Sequence, residues 1–352
     1  MREITCEQVS DGHPDKLADQ ISDAIVTDCL KHDKSSRCAV ETLVKNEFIV
    51  TAGEVASKWS YDTEKLIFSV FEKVGPYKID YENVKIINLI KEQSPEIAQD
   101  VKRGFPGDQG VVYGYATNET PEMLPIPFVL ATDFLARLKT AQDMMLKADA
   151  KAQVTFDYEA MKINTFVCSV QHREGFQVKD FKEVITWLMK DVATSRGFDM
   201  DFVRIVNPGG PFTRGGSFAD CGVTGRKIAC DTYGGIGRIG DAAISGKDPT
   251  KIDRFGIYIA RKIAKDLVAL GYCDRCEVQI AYSMGFKHPV SFNIDTFGTA
   301  HTGKQQIDEF VKRYDLSPRE VAKALNLYEV DYNESSAYGQ FWNQNMPWEQ
   351  IG

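Results

Sequence analysis

One order of helices and strands recurs along the chain and limits the folds that it can adopt. In the first section a helix at 14–31 is followed by strands at 38–45 and 47–55, a helix that Asp62 caps, and a strand at 84–91. The apolar residues of both helices recur at helical spacing. This order predicts an α+β unit with its helices on one face of a mixed or antiparallel sheet.

Two later sections show the same order without shared residue identities. The second predicts a helix at 125–146, a hairpin of strands 152–157 and 161–170, a helix at 179–195 and a strand at 202–206. The third predicts a helix at 251–270, strands at 276–283 and 289–295, and helices at 305–314 and 317–325, with no clear last strand. We therefore expect three α+β units, although such orders are common enough for coincidence to compete.

Charge and apolar content argue against several classes of protein. Of 352 residues, 42 are Lys or Arg and 50 are Asp or Glu, which gives a net charge of −8. This balance disfavours non-specific nucleic-acid binding, and no apolar run reaches the roughly 18–20 residues of a membrane span. The eight cysteines are scattered, and the lone Cys273-x-x-Cys276 lacks a second pair or nearby histidines for zinc. We expect a protein of the reducing cytoplasm.

The segment 10–16 is the first candidate for an anion site. It places Pro14 at the start of a helix, where free N–H groups and the positive dipole end face an incoming ligand. His13 and Lys16 add donors. Asp15 could bind a hard cation such as Mg²⁺, which shares oxygen ligands with phosphates. A polar capped turn without function is the alternative.

Two further segments, the glycine-rich 215–227 and the helix start at 246–254, combine cations with carboxylates in the same way. The second opens a helix but lacks the first glycine and the Ser or Thr of a P-loop. Their basic residues are Arg226, Lys227, Lys247 and Lys251, and their carboxylates include Asp220 and Asp253. This mixture suits a polyphosphate held by a metal ion and ammonium groups. For 246–254 alone, a solvated charged turn is the alternative, and 215–227 alone is a weak signal.

Together with other segments, these motifs resemble the S-adenosylmethionine synthetase (methionine adenosyltransferase) family. The similar segments follow the family order and cover nearly the whole chain: 10–16, 41–42, 53–54, 93–95, 107–110, 115–120, 149–151, 222–227, 231–235, 245–254, 296–299, 338–339 and 347–349.

The resemblance implies a fold of three similar α+β units about a pseudo-threefold axis, interleaved in sequence. The N-terminal unit would combine 1–11 with 120–215, the central unit 12–100 with 216–250, and the C-terminal unit 104–119 with 251–352. It further implies a homodimer or a dimer of dimers, with active sites built from both chains. In the implied reaction the sulfur of L-methionine attacks C5′ of ATP, and the released tripolyphosphate is hydrolysed to pyrophosphate and phosphate. Mg²⁺ and K⁺ would assist.

The resemblance also gives each candidate residue a role. The catalytic residues would be His13, Lys151, Arg226 and Lys227, with His13 beside the breaking C5′–O bond. ATP or its triphosphate would be bound by His13, Asp108, Lys151, Phe212, Arg226, Lys227, Lys247 and Lys251, with Phe212 stacked on adenine. L-Methionine would be bound by Glu54, Gln93, Asp220 and Lys251. Asp15 and Asp253 would bind Mg²⁺, and Glu41 would bind K⁺. For Glu41 and Glu54, the sequence alone favours ordinary solvent-facing carboxylates.

Several segments depart from the family pattern. Asp11 replaces Glu, the loop before 107–110 is short, Gly210-Pro211 and Trp342-Asn343 each replace Gly-Arg, and 236–244 lacks a His and a run of glycines. These departures leave an alternative open: a catalytically altered paralogue that acts as a nucleotide-binding regulator, or a triphosphatase with a different substrate preference. The triphosphate residues are intact, which favours the synthetase. We also expect the loop 102–110 to gate entry.

Overall fold

Residues 3–75, 83–92, 105–141 and 145–352 are described by a computed structural model of the chain. Within these ranges the helices are α1 Pro14–His32, α2 Thr63–Val74, α3 Ile126–Thr140, α4 Val178–Ser195, α5 Ile228–Asp231, α6 Ile252–Ala269, α7 Lys304–Val311 and α8 Pro318–Ala324. The strands are β1 Glu3–Val9, β2 Arg37–Lys45, β3 Phe48–Ala56, β4 Lys85–Lys91, β5 Gly110–Thr117, β6 Leu146–Asp157, β7 Lys162–His172, β8 Val203–Val206, β9 Gly222–Val223, β10 Arg275–Tyr282 and β11 Ser291–Asp295.

These strands form three sheets, with the orders β1-β6-β7-β8, β4-β3-β2-β9 and β11-β10-β5. The pairs β3–β4 and β7–β8 are parallel, and the other pairs are antiparallel. The predicted α+β class with mixed or antiparallel sheets is therefore confirmed. Each sheet also takes in one strand, β1, β9 or β5, that lies far from its other strands in the chain.

Local sequence sets the ends of the helices. Asp62 caps α2 because its carboxylate accepts the N–H of Lys65 (3.0 Å), and Gly75 ends the helix at φ +103°. The helix predicted at 125–146 is wrong at its C-terminal end. There α3 ends at Thr140, and Leu146 already belongs to β6, where it is buried opposite His172.

The core consists of helices packed on one face of each sheet. α1 and α2 pack on the sheet of β2, α3 and α4 on the sheet of β6, and α6 on β5 and β10. α6 comes so close to β5 that a Cβ atom at Gly114 would lie 2.0 Å from the backbone of Ala260. Only glycine permits this approach.

The sheet β4-β3-β2-β9 has one apolar face that the described helices leave open. On this face the exposed fractions are 38% for Leu43, 38% for Phe48, 42% for Ile87 and 55% for Leu89. Strand register brings these side chains together, because Leu43 pairs with Val50, which in turn pairs with Ile87. An apolar face of this kind is typical of an interaction surface.

Candidate active site

His13 is the N-cap of α1, and its imidazole is buried at the start of the helix. Its Nδ1 accepts the backbone N–H of Asp15 (3.2 Å), so the neutral ring carries its proton on Nε2. Burial, together with the positive charge of Lys227, lowers the pKa of His13 to about 3. The group is therefore a neutral hydrogen-bond donor at physiological pH.

Asp15 is a buried carboxylate that joins α1 to the segment of β9 and α5. One oxygen accepts the N–H of Val223 (3.0 Å), and the other binds Nζ of Lys227 (2.5 Å). Burial acts to raise the pKa of Asp15, but the hydrogen bonds from Lys227 and Val223 outweigh it and hold the pKa below its ordinary value. Arg226 lies 3.9 Å from the same carboxylate and is 54% exposed, so its side chain can reach a ligand.

Lys151 extends from β6 opposite Val9 and is 45% exposed, with Nζ 3.8 Å from a carboxylate oxygen of Glu7. The positive charges of Lys227 and Lys151 lower the pKa of His13, and the negative charge of Asp220 raises it. We call His13, Asp15, Lys151, Asp220, Arg226 and Lys227 the first residue set. The structure brings these six predicted residues to one region, at the N-terminus of α1.

The loop that carries Phe212 and Asp220 is anchored to the sheet of β6 and β7. His172 accepts the N–H of Phe212 on Nε2 (3.0 Å), and the buried Asp149 accepts the N–H of Gly216 (2.7 Å). Burial raises the pKa of Asp149 to about 6. Phe212 is half-buried and Asp220 is exposed, so both remain available to a ligand.

Lys247, Lys251 and Asp253 lie around the start of α6. Lys247 forms an ion pair with Asp253, and Nζ of Lys251 lies 3.2 Å from the buried Asp248. We call Lys247, Lys251 and Asp253 the second residue set. It adjoins Glu54, because Ala39 of β2 pairs with Lys247 on one side and with Glu54 on the other.

The two residue sets lie near opposite ends of β2. Val223, which binds Asp15, pairs with Leu43, whereas Lys247 pairs with Ala39. The two positions are four residue steps apart along the strand, a distance of about 13 Å. In the described part of the chain no hydrogen bond or ion pair joins the sets.

The remaining predicted residues do not join either set. Glu41 and Glu54 are exposed on the open face of their sheet. Asp108 is exposed and accepts the N–H of Gln109 (2.7 Å). Gln93 lies outside the described residues, as does the start of the loop 102–110, so its predicted gating stays a prediction.

Some residues that shape the site have no signal in the motifs. His172, Asp19 and Asp23 hold backbone N–H groups of the ligand-facing loops. A four-residue spacing from Asp15 could have indicated Asp19 and Asp23 as one helix face. Nothing in the sequence connects His172 with Phe212, which lies 40 residues later.

The described residues contain neither a metal-binding cluster nor a membrane-spanning helix. No three His, Cys, Asp or Glu side chains there converge as a cluster that could hold a metal ion. No helix among them has the length and apolar character needed to cross a membrane.

Comparison with known proteins identifies the class and then the family. The N-terminal, central and C-terminal domain models of S-adenosylmethionine synthetase match residues 2–95, 104–212 and 214–350. The chain is 40% identical to an S-adenosylmethionine synthase of Akkermansia muciniphila and 39% identical to one of Treponema denticola. Each alignment covers 99% of this chain and 95% of the relative.

These matches define an ATP-dependent transferase. The chain belongs to the S-adenosylmethionine synthetase family and is a methionine adenosyltransferase. Enzymes of this family depend on metal ions. The comparisons give no support to an altered paralogue.

Proposed function

We propose that the chain makes S-adenosylmethionine from ATP and L-methionine, with the first residue set at the reacting centre. The methionine sulfur forms a bond to C5′ of ATP while the bond from C5′ to the triphosphate oxygen breaks. The tripolyphosphate is then hydrolysed to pyrophosphate and phosphate. The observation that carries this proposal is the neutral His13, whose Nε2–H donor lies close enough to Lys151 and Lys227 to experience their charges.

The leaving group presents the main chemical difficulty, because a thioether is a neutral nucleophile and needs no general base. Negative charge develops on the triphosphate oxygen as the bond to C5′ breaks. Fixed donors and cations directed at that oxygen stabilise the transition state more than the ground state. We assign His13 to the leaving oxygen and Lys151, Arg226 and Lys227 to the triphosphate. The half-exposed Arg226 is suited to polarise the phosphate during hydrolysis.

Mg²⁺ fits the chemistry of the proposed donors. Mg²⁺ is usually held by one or two carboxylates together with substrate phosphates, so a cluster of three protein ligands is not required. Asp15 and Asp253 each already bind an ammonium group, from Lys227 and Lys247. We propose that both carboxylates hold Mg²⁺ when the triphosphate draws the lysines to its own oxygens. The ion then neutralises phosphate charge.

K⁺, methionine and adenine are each assigned to separate residues. Glu41 supplies one oxygen for K⁺ on the open sheet face. Methionine is assigned to Glu54, Gln93, Asp220 and Lys251, and Asp108 to the nucleoside. Phe212, whose backbone His172 fixes, is assigned to stack on adenine.

A second copy of the chain is proposed to complete each site. In one chain the β2 positions that pair with the two sets' segments, Leu43 and Ala39, lie about 13 Å apart. The open apolar face that includes Leu89 lies on this same sheet. Pairing two such faces about a twofold axis would bury them and bring the first set of one chain to the second set of the other. We propose a homodimer, alone or as part of a dimer of dimers.

The division into three interleaved units stays part of the proposal. It is supported by strand pairing, since β1 joins the sheet of β6 to β8, and β5 joins the sheet of β10 and β11.

All eight cysteines lack a disulfide, which supports the cytoplasm as the place of the reaction.

The test is a mass-spectrometric assay with ATP, L-methionine, Mg²⁺ and K⁺ that follows S-adenosylmethionine, pyrophosphate and phosphate together. We expect all three products in the complete mixture and no S-adenosylmethionine when methionine is omitted. Omitting Mg²⁺ and K⁺ in turn tests each ion. Phosphate release without S-adenosylmethionine would contradict the proposal, and CTP, GTP and other thioethers would then be assayed.

A further inference from the structure

Three carboxylates follow one another at four-residue intervals along α1 and so lie on one face of the helix. The first is Asp15, which the proposed function already uses. The second, Asp19, accepts the backbone N–H of Gly225 (2.8 Å), and the third, Asp23, accepts that of Gly246 (2.9 Å). Two loops that are 21 residues apart are therefore fixed to one helix by the same kind of contact.

The residues that these carboxylates hold are alike. Gly225 has φ +79° and Gly246 has φ +83°, a left-handed conformation that favours glycine. Each precedes a proposed triphosphate cation, Arg226 in one loop and Lys247 in the other. A Cβ atom at Gly246 would lie 1.9 Å from the carbonyl oxygen of Val40, so only glycine permits this close approach.

Both carboxylates are fully buried and have a buried cation beside them. Nζ of Lys16 lies 3.0 Å from Asp19 and 2.5 Å from Asp231. Asp23 forms an ion pair with Arg254, which also donates to the carbonyl oxygen of Ile244. Because both carboxylates are buried, their effect on chemistry would pass through the backbone that they hold.

We infer that Asp19 and Asp23 are positioning residues that set the places of Arg226 and Lys247 from one helix. This inference rests on the triphosphate-binding roles proposed for those two cations. Four residues of helix fix the two carboxylates about 6 Å apart along the axis of α1. Because α1 also carries His13, one rigid element determines where three of the proposed ligand contacts begin. A misplacement of about 1 Å can cost up to about 100-fold in rate.

The test at Asp19 compares D19A with D19N. Asn keeps an oxygen that can accept the N–H of Gly225 and leaves Lys16 paired with Asp231, whereas Ala removes the acceptor. We expect D19A to raise KM for ATP and to lower kcat/KM about 10- to 100-fold. We expect D19N to stay within about threefold of the wild type. Hydrolysis of added tripolyphosphate should follow the same order.

The test at Asp23 needs a neutral partner, because removing the carboxylate alone would leave the buried Arg254 without its counter-ion. We compare D23N/R254Q, which keeps the acceptor for Gly246, with D23A/R254Q, which does not. The second should have the higher KM for ATP when both are measured per folded enzyme, with folding checked by circular dichroism.

D33A is the matched control for a purely structural effect. Asp33 follows α1 and accepts the N–H groups of Ser35 and Lys58 (3.0 and 2.9 Å). Its removal should lower Tm without changing KM for ATP. Folded D19A with wild-type KM and tripolyphosphate hydrolysis would overturn the inference, and so would D19N as impaired as D19A. A wild-type enzyme that makes no S-adenosylmethionine would instead overturn the proposed function.

Discussion

The two residue sets differ in how completely one chain surrounds them. The first set draws on α1, β6, the loop that ends at Asp220, and the segment of β9 and α5, and its His13 and Asp15 are buried. The second set lies around the start of α6, beside β2, and the neighbouring Glu54 is exposed to solvent. We therefore propose that one chain builds a preorganised half-site and a second half-site that a further surface completes.

The difference in burial between the two sets has a functional consequence. A buried group such as His13, which the N–H of Asp15 holds, meets a ligand with its geometry already fixed, which is the condition for electrostatic catalysis. An open carboxylate such as Glu54 becomes specific only when another surface excludes water. We therefore expect substitutions in the first set to damage chemistry within one chain, and substitutions at the open face to act through assembly.

The largest effect is expected for K151M. The variant removes a cation that we place on the triphosphate, and it should lower the rate of adenosyl transfer by about 1,000-fold, the upper range for loss of one transition-state donor. Lys151 is half-exposed and its nearest carboxylate is 3.8 Å away, so Tm should change little. Product formation by mass spectrometry and thermal unfolding measure the two properties. A folded variant with near-normal activity would remove Lys151 from the site.

The second effect is expected at the open apolar face. L89D would place an uncompensated charge in the proposed interface, which costs about 3–5 kcal/mol when it is buried. We expect monomers by size-exclusion chromatography and loss of activity at the same protein concentrations. W187D is the matched control, since Trp187 is an exposed apolar residue on α4, outside that sheet. If L89D leaves the oligomer and its activity intact, the interface lies elsewhere.

A mixture of two inactive variants tests whether each site is shared between two chains. K151M damages the first set and K247M the second, so a mixed dimer with shared sites contains one intact site and one site with both substitutions. Random reassortment of equal amounts should restore about a quarter of the wild-type activity. No recovery, although native mass spectrometry shows mixed dimers, would mean that each chain holds a complete site.

The third effect is a change of stability with pH that follows from the burial of Asp149. Its folded-state pKa of about 6 lies above the ordinary value of 3.8, so the folded protein binds the proton more tightly than the unfolded chain. The resulting stabilisation is present below about pH 4 and is lost as pH rises to about 6. D149N keeps an acceptor for Gly216 and does not ionise. Its stability relative to wild type should therefore rise over this range by at most about 3 kcal/mol. Urea unfolding at several pH values measures the difference, and a constant difference would contradict the assignment.

Most helices and strands could be predicted from the sequence because their signals are local, and the family resemblance brought together the members of the first residue set. Pro14 after a polar turn indicates a helix start, and the motif around it resembles a known family. The strands that complete the sheets could not be predicted in the same way. β5 pairs with β10 across more than 150 residues, and no local pattern specifies such a partner. The separation of Lys247 from Lys227 has the same origin, since tertiary pairing along β2 decides it.

The smallest effect is expected at Phe212, the aromatic residue proposed to stack on adenine. Its backbone is fixed on both sides by His172, which accepts the N–H of Phe212 on its ring, while Phe212 accepts the N–H of His172 (2.9 Å). F212L keeps this backbone contact and removes the ring, so the loss should be limited to stacking, about 0.5–1.5 kcal/mol. We expect KM for ATP to rise by about 2- to 12-fold, with kcat little changed. H172A removes the hydrogen bond to the N–H of Phe212 but keeps the Phe212 ring. It should produce a similar rise in KM only if the orientation of the loop matters. An F212L enzyme with unchanged KM for ATP and for GTP would show that adenine is recognised elsewhere, and the exposed Asp108 would be the next residue to substitute.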